Sequence, residues 1–128
     1  MTAEGLTYDT GALVAAERDD RLVWALHRAA LSRGLPPSVP AGVLAEGWRG
    51  GPQATLSRFL KGCYIEDLSK DQARAVGALA ARARHDDVVD VSVVEGAVRR
   101  HHAVVTSNAT HIRKIADVIG TTLEVHAV

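Results

Sequence analysis

The chain of 128 residues has no second cysteine. With Cys63 alone, an intramolecular disulfide and a thiolate zinc cluster are both excluded. A reducing, cytoplasmic compartment is the simplest expectation. Net charge is missing too, since 15 Lys and Arg balance 15 Asp and Glu. No global basic field draws in nucleic acid, so an RNA partner has to be held by local patches or through a metal ion. No uncharged apolar run approaches the roughly 20 residues that a membrane helix needs. The opening Met1–Gly5 shows no basic segment ahead of an apolar core, so no signal peptide is expected. Internal repeats, low-complexity tracts and linkers are not evident either. What the chain does have is 47% apolar residues, enough for one packed core and too many for a disordered chain.

Hydrophobic patterning predicts alternating strands and helices. Leu6 to Asp9 reads as a short buried strand, Gly11 to Glu17 as a helix, and Asp19-Asp20 as the start of a longer one. That helix carries Leu22, Val23, Leu26, Ala29 and Ala30 on one stripe and ends at Gly34. Ser38-Val39 is a strand, and Pro40 opens a helix to Gly50 with Val43, Leu44 and Trp48 as its apolar side. Residues 53–61 read as a further helical turn or two, and Cys63-Tyr64-Ile65 as a weak strand. Ser69 and Gln72 have capping-box spacing ahead of an alanine-rich helix. Asp86-Asp87 starts another helix, with Val88, Val91, Val94, Ala97 and Val98 inward. Ala103–Thr106 is a strand, Asn108–Ile119 a helix that Gly120 stops, and Thr121–Val128 a last strand. This alternation predicts a mainly parallel sheet covered on both faces.

Asp9 stands where the first strand meets the first helix, and Asp90 lies near the start of another. Each has an ordinary explanation as a helix cap or as a complement to the helix dipole, and Asn108 can cap the last helix in the same way. Glu46 fits that explanation less well, because it lies inside a helix between Leu44 and Trp48. A solvated surface acid is the ordinary reading there. The three acids come from three different strand–helix units, which is how a parallel sheet assembles a site at the carboxyl ends of its strands. Carboxylates drawn together repel, and a divalent cation relieves that repulsion. Oxygen ligands favour magnesium or manganese over zinc.

The same residues resemble a PIN domain, specifically the VapC-type toxin ribonucleases of bacterial toxin–antitoxin pairs. Tyr8-Asp9-Thr10-Gly11-Ala12-Leu13, with Glu17-Arg18 after it, is similar to the start of that family. Val39–Glu46 followed by Trp48-Arg49-Gly50-Gly51 resembles the segment with its second acid, and Asp87–Val91 the segment with its third. Val104–Asn108 resembles the strand end that leads to the fourth. The resemblance runs from Leu6 to about Val125. It implies a single three-layer α/β/α PIN-like domain over residues 1–128 and a magnesium-dependent endoribonuclease, with manganese as the alternative ion. It also implies a cognate antitoxin and a homodimer. By the same resemblance Asp9, Glu46 and Asp90 are metal ligands, and Asn108 completes the catalytic set. Asn108 is a departure, since the family usually has an acid there; an amide supplies an oxygen acceptor but no charge.

Several other residues have ordinary and functional readings. Adjacent His101 and His102, if both are on a strand, point to opposite faces and do not share an ion. His111 and His126 are expected at the surface or behind ligands. Arg99-Arg100 and Arg113-Lys114 are candidate phosphate contacts or a solvated face, and Arg49 is the basic residue expected nearest the site. Trp24 and Trp48 are expected to pack rather than to stack on bases. Part of the Leu22, Val23, Leu26 stripe, with Trp24 beside it, is a candidate dimer surface. A competing function is a catalytically weakened PIN domain acting as a binding or regulatory module. A phosphoacceptor receiver domain ranks last, because no lysine lies in or directly after Val104–Ser107 and Lys114 falls in the middle of the following helix.

Overall fold

The first strand, β1 (Gly5–Tyr8), is buried at every position and lies at the middle of a parallel sheet. The structure is a computed structural model that describes residues 3–128, so Met1 and Thr2 of the opening segment lie outside it. After β1 come α1 (Thr10–Glu17), α2 (Arg21–Ser32), β2 (Ser38–Pro40), α3 (Ala41–Gly47), α4 (Ala54–Leu60) and β3 (Tyr64–Glu66). The second half runs α5 (Lys70–Ala83), α6 (Val88–Arg100), β4 (His102–Thr106), α7 (Ala109–Ile119) and β5 (Val125–Ala127). Strand order is β3-β2-β1-β4-β5, with every neighbouring pair parallel. From β1 the chain builds towards β3, then crosses back to β4 and β5. Right-handed crossovers in opposite directions put their helices on opposite faces, which separates α1–α4 from α5–α7. The order reverses between β1 and β4, and open parallel sheets hold their ligands at such a switch point. A receiver-type order differs from this one, so that reading is excluded.

Side-chain alternation on β1 sorts its residues between the layers. Tyr8 stacks on Phe59 of α4, with ring centroids 5.0 Å apart, and bonds His27 of α2 at 2.9 Å. His27 itself lies flat against Phe59 at 4.0 Å, and Trp24 meets both edge-on. The α2 stripe therefore turns inward through Val23, His27 and Ala30, while Leu22 stays 50% exposed. Burial of the His27 imidazole lowers its pKa, with the Arg28 charge adding to the effect. Thr7 turns to the other layer, where its hydroxyl meets Arg100 and His102.

Several expectations change on the structure. Helix α3 stops at Gly47 rather than Gly50, because the Gln53 side chain takes the Gly47 carbonyl and the Arg49 N–H. Trp48 then leaves the apolar stripe and is 41% exposed. Val88 also faces outward, at 55% exposure, because α6 only begins there. His101 is not on a strand: it caps α6 in the left-handed conformation, φ 58°, and only His102 enters β4. The Ser69 half of the capping box forms, with Ser69 Oγ accepting from the Gln72 N–H at 3.0 Å. The Gln72 side chain goes instead to Glu66 and Glu95.

Candidate metal and nucleic-acid site

Asp9 follows β1 directly, and Ser107-Asn108 follow β4, so both sides of the switch point end in polar residues. Asp9 is 6% exposed. Its Oδ1 accepts from the Ala12 N–H at 3.1 Å and caps α1, while Oδ2 accepts the Thr106 hydroxyl. Thr106 in turn accepts the Asn108 N–H at 2.8 Å. One threonine thus ties the end of β4 to the end of β1. Gly11 makes the approach possible, since a Cβ there would stand 2.0 Å from Ser107 Oγ and 2.9 Å from the Ser107 backbone nitrogen.

Glu46 arrives from α3. Gly47 beside it packs on Leu13, where an added Cβ would lie 3.0 Å from Leu13 Cδ1, so the end of α3 settles closely on α1. The Glu46 carboxylate is exposed and accepts the Thr10 hydroxyl. Asp90 sits in the first turn of α6, which Asp87 caps through the N–H groups of Val89 and Asp90 at 3.0 and 3.2 Å. Asp90 Oδ2 accepts from His85 Nε2 at 3.2 Å. Asn108 occupies the N-cap position of α7 but makes no side-chain cap bond, contrary to expectation. Its Nδ2 donates instead to His111 Nδ1 at 2.9 Å.

Asp9, Glu46, Asp90 and Asn108 all line one open groove of about 770 Å³. Asp20, Asp87, Arg18 and His111 share the lining. Five carboxylates thus face one guanidinium. Asp20 and Asp87 serve as helix caps; Asp9 caps α1 and also accepts the Thr106 hydroxyl, while Glu46 and Asp90 accept from Thr10 and His85 instead of capping a helix. Burial raises the Asp9 pKa; the bonds from Thr106 and Ala12 oppose this, and the Asp90 charge adds to it. The donor set is all oxygen and carries excess negative charge, so its chemistry suits a hard cation. It is not preassembled. Among the described residues, no three Asp, Glu, His or Cys side chains stand close enough to clasp an ion where they are.

Sequence reasoning missed His85 and gave no role to Thr106 or Arg18, although both lie in segments that carry the resemblance. A strand-end threonine and a histidine just past a helix gave no local signal, since their partners are distant in sequence or lie across a turn. Other candidates lie elsewhere. Arg49 bonds the carbonyls of Ala45 and Trp48 and does not line the groove. Arg99 and Arg100 pair with Glu66 at 2.8 and 2.7 Å, so they are not free phosphate contacts. Arg113 and Lys114 are exposed on α7, and His126 pairs with Glu124 at 3.2 Å.

No protein-family model matches the sequence, and no curated protein does. Among solved structures, the chain is similar to one from VapBC2 of Rickettsia felis bound to a DNA fragment from their promoter. The match has a TM-score of 0.72 and 18% identity, and covers 96% of this chain and 98% of that one. The fold is therefore the three-layer α/β/α, PIN-like one that the sequence resemblance implied.

Proposed function

We propose that the protein is a VapC-type toxin, a magnesium-dependent endoribonuclease that uses manganese as an alternative ion. The observation that carries this reading is the groove at the β1/β4 switch point, lined together by Asp9, Glu46, Asp90 and Asn108. Asp9, Glu46 and Asp90 would hold the ion. Such an ion, when bound, acidifies a water and stabilises charge on a phosphodiester. Thr106 and Thr10 orient two of the carboxylates through their hydroxyls. Arg18, the one guanidinium in the lining, suits a contact to an RNA phosphate. Asn108 offers an uncharged oxygen.

The reading extends to partners. The likeness to a VapBC2 chain supports a cognate antitoxin, and an acidic groove in a protein of zero net charge suits a basic peptide segment. The exposed Leu22 of α2 suits a homodimer contact. Among the described residues, no helix is long and apolar enough to cross a membrane.

RNA cleavage in the presence of magnesium and its loss in chelator test the proposal. Asp9→Asn is expected to lower the rate at least about 100-fold, roughly 3 kcal/mol of barrier. Expression of the chain alone should inhibit growth, and the antitoxin should relieve it. Cleavage that survives both chelator and Asp9→Asn contradicts the reading. A second reading, a catalytically weakened binding module, draws on the missing charge at Asn108 and on acids already engaged by protein donors. An inactive wild type that gains activity as Asn108→Asp would favour it.

A further inference from the structure

We propose that His85 is a positioning residue that sets the Asp90 carboxylate for cation binding. The inference rests on the metal-site reading above. Sequence order hides the pairing, because His85 lies between two helices and outside both. Helix α5 ends at Arg84 in the left-handed conformation, φ 52°, and the His85 N–H then bonds the Ala80 carbonyl at 3.1 Å. The His85 backbone is therefore fixed by the cap of α5. The Asp90 backbone is fixed independently, by the Asp87 cap of α6.

Two rigid anchors thus bring His85 Nε2 to 3.2 Å from Asp90 Oδ2, with side chains only 18% and 27% exposed. A carboxylate accepts only, so Nε2 carries the proton and donates. One Asp90 oxygen is engaged in this way, and a carboxylate has two. The imidazole also has an aromatic neighbour. Its ring meets the His111 ring edge-on, with centroids 5.8 Å apart at 75°, and His111 Nδ1 accepts from Asn108 Nδ2 at 2.9 Å. The two imidazoles connect the Asp90 side of the groove to the Asn108 side. Side chains that hold a ligand carboxylate by a hydrogen bond fix its orientation, and their loss weakens metal binding by about 10–100-fold.

Calorimetric titration of the full chain with manganese chloride tests this, using wild type, His85→Ala, His85→Asn and His85→Gln. Glutamine places its amide nitrogen near the position of Nε2, whereas asparagine falls short of Asp90. Manganese affinity should fall about 10-fold or more in His85→Ala and His85→Asn, and His85→Gln should restore most of it. Thermal melts of the metal-free proteins separate this effect from unfolding, and the contrast between the two amides holds even where alanine destabilises the turn. Affinity that is unchanged or tighter in both His85→Ala and His85→Asn overturns the role of His85 and leaves the metal site standing. A wild type that binds no manganese overturns both.

Discussion

Two clusters of charge lie on this small domain, and they are built in opposite ways. Around Glu66, the carboxylates of Glu66 and Glu95 face the guanidinium groups of Arg99 and Arg100, with contacts of 2.7 to 3.0 Å. In the groove at the β1/β4 switch point, five carboxylates face Arg18 alone. The pKa directions follow the balance. Burial alone would raise the Glu66 carboxyl, but the bonds and charges of Arg99 and Arg100 outweigh it and hold it below its ordinary value. Burial raises Asp9, and its hydrogen bonds do not restore it. A balanced cluster stabilises the fold. An unbalanced one lacks a positive partner, and a cation from solution is the simplest partner for it.

The largest stability change should come from the balanced cluster. Glu66→Gln leaves Arg100 largely buried without its partner, and urea unfolding at neutral pH should show a loss of about 2–3 kcal/mol. The sign with pH is fixed by the lowered pKa. The stabilisation is complete above the ordinary carboxylate range and disappears as pH falls through the folded value. The gap between Glu66→Gln and wild type should therefore narrow in acid. An equal gap at every pH would show that packing, not charge, is what Glu66 contributes.

The unbalanced cluster should answer with the opposite sign. The raised Asp9 pKa means that its ionised form destabilises the metal-free protein, fully so above the folded value and not at all below the ordinary one. Asp9→Asn keeps an acceptor for Ala12 and is an equally good cap. In chelator at neutral pH it should unfold about 1 kcal/mol later than wild type, with the gain vanishing in acid. A destabilised Asp9→Asn would remove the contrast between the two clusters. A smaller effect is expected at Asn108. Asn108→Asp deepens the imbalance, so it should lower metal-free stability by about 0.5 kcal/mol and tighten manganese binding several-fold. No change in either would leave Asn108 as a neutral partner of His111 only.

Much of the groove was legible in the chain because its residues sit at punctuation. Asp9 closes a strand and Asp90 opens a helix, so local pattern suggested a shared sheet edge, whereas Asn108 read locally as a helix cap and only the family resemblance added it to the set. The Gly34 and Gly120 helix ends were legible for the same reason. What was not legible depended on partners far away in sequence. His27 is buried because Tyr8 and Phe59 receive it, which no helical periodicity announces. Thr106 matters because Asp9 lies 97 residues before it. Arg99 and Arg100 looked like free cations until β3 brought Glu66 to them. Trp48 left its predicted stripe because a glutamine five residues later ended the helix.

The most direct measurement is a crystal of the protein soaked in manganese, with an anomalous difference map calculated at a wavelength where manganese scatters anomalously. The account predicts a peak in the groove, bounded by Asp9, Glu46 and Asp90, that disappears in Asp9→Asn. A map with no peak in the groove, or with manganese only at surface acids such as Glu124 beside His126, would contradict it.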